Sequence, residues 1–248
     1  PKIRRRGGRK AALARVKKYD FSKYDKLRDY PAYETSEMSA YLKFGCISIR
    51  ELYHHTCKYE KYVAELYWHD FYAQLLWHHP NLIAKSQLLS NTTDTWSGSR
   101  SAFNAWKDGR TGFPIVDAAM RCLNDTGFMH NRLRMVVASF LIKDLRCNWR
   151  LGEQYFATKL YDYDPASNSG GWQWISGYGV DPQQKFRHMN PWLQSTKYDA
   201  DAKFIKLWLP ELRDVEPKII HNWYKYADKS IYLLPIVDHA KAIKSYEI

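Results

Sequence analysis

The sequence is poor in the features that announce several large protein classes. Its four cysteines, at 46, 57, 122 and 147, form no Cys-x-x-Cys pair, which argues against a zinc site. There is no secretory apolar core and no run of 18 apolar residues. That points to a soluble intracellular protein with reduced thiols and no membrane partner. Gly-x-Ser-x-Gly, Gly-x-x-x-x-Gly-Lys-[Ser/Thr] and His-Glu-x-x-His are all missing, so serine-hydrolase, P-loop and zincin chemistry are set aside. Asn91-Thr92-Thr93 fits the glycosylation acceptor pattern, but without a signal peptide it carries little weight. No internal repeat is found, and no low-complexity stretch follows the basic N-terminal segment. Strand and helix patterns do not alternate, which disfavours a doubly wound nucleotide-binding fold. The first residue is Pro1 rather than Met, which reads as processing, trimming or a fragment.

What is present is aromatic and basic. The 248 residues include 10 Trp, 19 Tyr and 10 Phe, and 45% are apolar, enough for a real core. The formal net charge is +12. Residues 1–28 carry twelve Lys and Arg against Asp20 and Asp25, a net +10, which leaves +2 for all the others. A basic total points to a polyanion such as nucleic acid. A nearly neutral body must then bind through local patches, and a solvated tail explains the first 28 residues equally well.

The periodicity is helical. Between Glu60 and Trp77, apolar side chains at 62, 63, 66, 67, 71, 75 and 76 recur at spacings of three and four. Phe113-Pro114 opens a second helix that Gly127 closes. His130 to Cys147 reads as one buried helix. Shorter helices are expected around 8–18, 48–57, 101–108, 152–160, 201–208 and 217–226. The one strand-like run, Ile231 to Leu234, is interrupted by Pro235. The expectation is an all-α domain over 11–248, preceded by a basic arm or linker remnant over 1–10. Two stretches break the pattern: Tyr33–Ser39, and Asp162 to Trp174, which reads as a poor helix interior and a good site loop.

Three constellations carry chemistry. Thr35, Ser36 and Ser39 form a hydroxyl cluster at a helix start, suited to an anion or to ordinary N-capping. Glu65, Trp68 and His69 share one helix face, and Asn131, Arg134 and Met135 repeat that spacing. Each set puts polar groups beside an aromatic or soft side chain, which suits a flat ligand; core packing around a satisfied polar pair is the plainer reading. The adjacent pairs His54-His55 and His78-His79 point about 100° apart on a helix and read as structural.

Five stretches together carry a resemblance: Thr35-Ser-Glu-Met-Ser39, Glu65-Leu-Tyr-Trp-His-Asp-Phe-Tyr72, Trp106 through Arg121, Met129-His-Asn-Arg-Leu-Arg-Met135, and Asp162 through Trp174. From about residue 8 to its end, the chain resembles the FAD-binding C-terminal domain of the photolyase/cryptochrome family. It is most similar to the class I members that act on cyclobutane pyrimidine dimers. The resemblance implies a multi-helical FAD-binding fold. It also implies light-driven electron transfer from reduced FAD to a dimer in UV-damaged DNA, a carbon–carbon lyase reaction without net redox change. Tyr24, Thr35, Ser36, Glu37, Met38, Ser39, Tyr62, Asn131, Arg134, Asp162, Tyr163, Asp164 and Asn168 match cofactor-binding positions, with Arg134 expected to pair with Asp162. Asn168 matches the residue facing the flavin. Trp172, Trp149 and Trp96 match the tryptophan chain that photoreduces it. Glu65, Trp68, Asn131, Met135 and Trp174 match the lesion pocket, with Glu65 supplying a hydrogen bond or proton. Arg28, His69, Arg132 and Gln194 match positions that hold the strand.

Relatives that repair (6-4) photoproducts carry His where Asn131 stands, and DASH-type relatives differ at Met135. The sequence departs from the family in three places. His69 stands where the motif has Arg, which implies weaker phosphate contact. Tyr62 stands where Trp is common. No α/β antenna domain or antenna-chromophore site is matched, so an antenna domain on a separate chain is a further partner to consider. The alternative class is a non-repairing cryptochrome-like flavoprotein, or a truncated or split fragment needing a partner chain.

Overall fold

The computed structural model describes residues 6–81, 96–180 and 187–246. Asn91-Thr92-Thr93 lies outside them. Helices follow one another as α1 (Arg9–Lys18), α2 (Tyr24–Leu27), α3 (Ser39–Lys43), α4 (Ile49–Thr56), α5 (Glu60–His78), α6 (Arg100–Lys107), α7 (Pro114–Thr126), α8 (Asn131–Ser139), α9 (Trp149–Lys159), α10 (Pro165–Ser176), α11 (Pro191–Tyr198), α12 (Lys203–Trp208), α13 (Pro217–His221), α14 (Trp223–Tyr226) and α15 (His239–Tyr246). No strand occurs among the described residues, and Ile231–Leu234 is turn and irregular backbone. No helix there is long and apolar enough to cross a membrane.

The apolar side chains gather into two cores. The larger is built on α7 and α8, with Trp106, Met120, Leu123, Leu133, Phe140 and Trp172 inside it. The smaller gathers Ala12, Val16, Phe21, Met38, Tyr41, Leu52, Tyr62 and Leu66. Helix α7 is buried nearly all round; Pro114 starts it, and Gly127 ends it in the left-handed region at φ 70°. Most of the basic segment is not a solvated tail. Arg15 is buried, Arg9 makes two 2.9 Å bonds to Glu51, and Tyr41 donates to the Arg6 carbonyl.

Three expectations need correction. The helix expected around 217–226 is broken at Asn222 into α13 and α14. The single helix over 130–147 is broken. After Ser139 the chain widens into a π-helical turn over Phe140–Asp144, closed by Leu145 N–H donating to the Phe140 carbonyl at 3.0 Å. Two buried charged side chains lie in this turn: Asp144 accepts from His239 Nδ1 at 2.5 Å, and Lys143 Nζ donates to the Arg187 carbonyl. The stretch from 162 to 174 is not a loop either; from Pro165 onward it is α10. Asp164 caps the helix by accepting from Ser167 N–H, and Pro165 sits at its first position. Gly170 pays its helix cost in close packing, because a Cβ there would overlap the Tyr72 ring of α5.

Gly152 on α9 plays the same part against Trp172, whose ring occupies the space of a Cβ. Replacing Gly152 with Ala is expected to cost about 1–3 kcal/mol through overpacking. Thermal unfolding is the check, at roughly 2–4 °C of Tm per kcal/mol for a chain of this size.

Candidate functional site: a clamp between two cores beside an aromatic cavity

The segment from Tyr33 to Ser39 belongs with the smaller core, and the start of α10 with the larger. Buried polar contacts join them. Asp162, its side chain only 1% exposed, accepts from Ser39 Oγ at 2.6 Å and from Arg134 Nη2 at 2.8 and 3.0 Å. Arg134 also donates through Nε to the Met129 carbonyl, which fixes its plane. Lys43 Nζ lies 3.4 Å from Asp164. The Arg134–Asp162 pair expected from the sequence is therefore present.

The hydroxyl cluster does not N-cap α3, which has no side-chain cap. Ser36 Oγ accepts from Tyr62 OH at 3.1 Å, and Tyr24 meets the Tyr62 ring edge-on at 4.9 Å. Burial pushes both phenols upward, so both stay protonated. Arg15 donates to the carbonyls of Ser36 at 2.9 Å and Thr35 at 2.5 Å. Glu37, buried, sits in the left-handed region at φ 51°, a strained turn that overlapping contacts hold in place; Met38 beside it is core. Arg15 was counted with the basic segment, and no motif singles it out.

On α10, Asn168 Nδ2 donates to the Glu153 carbonyl and to Glu153 Oε1, at 3.2 and 3.1 Å. Burial raises the Glu153 carboxyl above its usual range, opposed by Asn168 and Arg150. Glu153 also escaped the sequence reading. The signal was the helix face it shares with Trp149 and Phe156, at i, i+4 and i+7. Trp172 is buried against Trp106 at 6.1 Å and Phe156 at 5.1 Å between ring centroids. Trp149 is buried at the start of α9, and Trp96 meets Tyr178 at 6.3 Å. Among the described residues no ring stacking links Trp172, Trp149 and Trp96 to one another. Tyr163 packs partly buried on the larger core.

Across α10 from this region lies an open cavity of about 430 Å³ lined by Ala64, Tyr67, Trp68, Phe71, Tyr72, Trp174 and Val180. Trp68 and Trp174, expected on opposite sides of one ligand, both line it. Glu65 sits one turn before Trp68 and pairs with Arg28 at 2.7 Å; burial raises its carboxyl, and Arg28 opposes the shift. Asn131 is the exposed first residue of α8, and Met135 packs on the larger core. Arg132 pairs with Asp29. Gln194 Oε1 is buried with no hydrogen-bond partner. His69 lies 3.6 Å from Asp70.

The chain as a whole is similar to known proteins. A family model described as the FAD binding domain of DNA photolyase matches residues 62–247. The deoxyribodipyrimidine photo-lyase of Escherichia coli is 42% identical over 252 residues, covering 94% of this chain and 53% of the relative. That of Halobacterium salinarum is 41% identical over 242 residues, covering 90% and 50%. Among solved structures, an archaeal photolyase from Sulfolobus tokodaii with two FAD molecules superposes with a TM-score of 0.90 at 46% identity, covering 98% of this chain and 55% of its own. A Synechocystis cryptochrome does so at 0.90 and 31%, covering 100% and 58%. The chain belongs to the family of photolyase FAD-binding domains, and it spans about half the length of the curated relatives it matches.

The cofactor of that family is FAD, and the residues fit it. Hydroxyls and cations converge on residues 35–43. Both carboxylates of the Asp-x-Asp pair are already compensated, by Arg134 and Lys43, so an anionic pyrophosphate meets no free negative charge there. Asp162→Asn removes the charge that holds Arg134 and is expected to cost about 3 kcal/mol. Urea unfolding measures that loss, and FAD retained through gel filtration should fall with it.

His130 adds a pH dependence. Its Nδ1 accepts from Arg132 N–H at 3.1 Å as the cap of α8, and burial pushes its pKa down to about 4. Above roughly pH 6.5 the ring is neutral folded or unfolded and contributes nothing. Below that, the unfolded chain takes the proton first, so stability falls as pH drops from about 6.5 to about 4, by up to about 3 kcal/mol. His130→Asn keeps a capping group, and the difference between its urea-unfolding pH profile and that of the wild type isolates this loss.

Proposed function

We propose that the chain is the catalytic part of a light-dependent deoxyribodipyrimidine photo-lyase that acts on cyclobutane pyrimidine dimers in UV-damaged DNA. The observation that carries this reading is the cavity walled by Trp68 and Trp174, with Glu65 one helical turn before Trp68 on α5. Its volume is in the range of ordinary ligand sites, ~300–1,000 Å³. A dimer must leave the duplex to be reached, at a cost of a few kcal/mol that is least for damaged, poorly stacked bases. Two indole walls return on the order of 1–3 kcal/mol per base.

When bound, reduced FAD excited by blue light supplies the electron that opens the cyclobutane ring and takes it back afterwards. The chain's own residues do the rest. Ser39, Arg134, Asp162, Lys43 and the Thr35–Ser36 turn hold the cofactor, with Asn168 oriented by Glu153. Trp68 and Trp174 exclude water from the lesion faces. Glu65, its carboxyl raised by burial, offers a hydrogen bond or proton at the lesion edge; Asn131 and Met135, which do not line the cavity, are assigned to the lesion by the resemblance alone. Trp172, Trp149 and Trp96 are assigned to refilling the cofactor with electrons. The expected catalytic unit over 11–248 extends back to α1, which begins at Arg9, so the arm over 1–10 is docked at its end rather than free, with light harvesting left to a separate antenna domain.

The test is blue-light illumination of the FAD-loaded protein with a dimer-containing oligonucleotide under reducing conditions. Light-dependent loss of the dimer is expected, with a rate lowered several-fold in Glu65→Gln. Bound flavin without repair would sink the reading in favour of a non-repairing cryptochrome-like protein.

A further inference from the structure

The arginines assigned to the DNA strand are already paired within the chain. Arg28 Nη1 lies 2.7 Å from Glu65 Oε1, and Arg132 Nη2 lies 2.6 Å from Asp29 Oδ1. Arg28 and Asp29 are consecutive residues just after α2, so one short segment carries half of each pair. The other halves stand on α5 and α8. Tyr24 lies under the Arg28 guanidinium at 5.6 Å and Tyr198 under that of Arg132 at 4.4 Å. Arg132 Nε is buried without a hydrogen-bond partner. All four charged side chains are only partly exposed, and Glu65 feels the charge of Asp29. Within this quartet two cations and two anions sum to zero, so its arginines add no net attraction for a passing phosphate beyond that of neighbours such as Lys197, which lies 5.1 Å from the Tyr198 ring.

We propose that the two ion pairs are a damage-gated exchange: Glu65 and Asp29 withhold Arg28 and Arg132 from the DNA backbone until a dimer in the cavity engages Glu65. Arg28 then passes to a phosphate. The shift of segment 28–29 loosens Arg132 from Asp29, and Arg132 follows. The proposal rests on the function proposed above and adds how damaged and intact DNA are told apart.

The physical basis is asymmetric. On intact DNA, a phosphate that takes Arg28 leaves a partly buried carboxylate uncompensated, which is costly. A dimer gives Glu65 another partner, so the same phosphate contact becomes favourable. Phosphate contacts carry no sequence information themselves. Coupled to Glu65, they amplify lesion recognition by penalising the wrong substrate.

The test is dark binding of the FAD-loaded protein to duplexes with and without one cyclobutane thymine dimer, titrated over about 50–300 mM salt. Each arginine delivered to a phosphate steepens the log K against log[salt] slope by about 0.9. For the wild type, a slope steeper by roughly 1–2 on the damaged duplex is expected. Glu65→Gln should bind intact DNA several-fold tighter, with a slope steeper by about 0.9, and lose most of its preference for damage. Asp29→Asn should tighten both complexes.

A wild type that prefers the dimer with equal slopes on both duplexes overturns the exchange. So do the two variants if affinity and slope on intact DNA stay unchanged, which is the signature of a structural brace. A wild type without dimer preference sinks the proposed function instead, and the variants on intact DNA still decide whether the carboxylates withhold the arginines. Both substitutions are nearly isosteric and lie on different elements; if one unfolds, the other and the wild-type slopes decide.

Discussion

Everything around the site depends on one buried carboxylate. Asp162 is held by Ser39 from the smaller core and by Arg134 from the larger, and its side chain has almost no contact with water. An unpaired charge there would be costly, so the two cores must sit where Ser39 and Arg134 both reach it. The Lys43–Asp164 contact lies two residues along and points the same way. The seam between the two hydrophobic bodies takes its shape from satisfying that carboxylate, and it is the place proposed for the cofactor.

The same logic runs through the surrounding polar groups. Arg15 is tied to the carbonyls of Thr35 and Ser36, and Asn168 to Glu153. These contacts fix orientations before any ligand arrives, which lowers the ordering cost at binding. The aromatic residues divide by exposure. Trp106 and Trp172 are buried packing partners, whereas Trp68 is about half exposed at the cavity. An exposed indole beside a cavity is free to stack on something that comes and goes.

The helices that were legible in the sequence are those with a long three–four recurrence of apolar residues or strong punctuation. Helix α5 matched its three–four spacing to within a residue, and α7 began and ended at its Pro and Gly. The misreadings had physical causes. Helix α10 looked like a loop because glycines and an Asn weaken an isolated helix; the ring of Tyr72 against Gly170 reverses that preference, and only tertiary packing shows it. The π turn after Ser139 left no periodic trace, and the partners of Lys143 and Asp144 within it lie more than forty residues away in sequence. At the site, motifs located the clamp and both cavity indoles. They did not show that Arg28 and Arg132 are already neutralised, because ion pairs between distant segments have no local signature.

The clamp also sets an order of events during synthesis. Ser39 and Asp162 are separated by 123 residues, so the contact that joins the cores is among the most non-local in the chain. At ~5–20 residues per second, Asp162 follows Ser39 from the ribosome by on the order of ten seconds. Until then the smaller core can collapse, but the carboxylate that ties it to the larger core does not exist. The seam between the two cores therefore closes only after about two thirds of this sequence has been made. A nascent chain that stalls before α10 leaves that seam open.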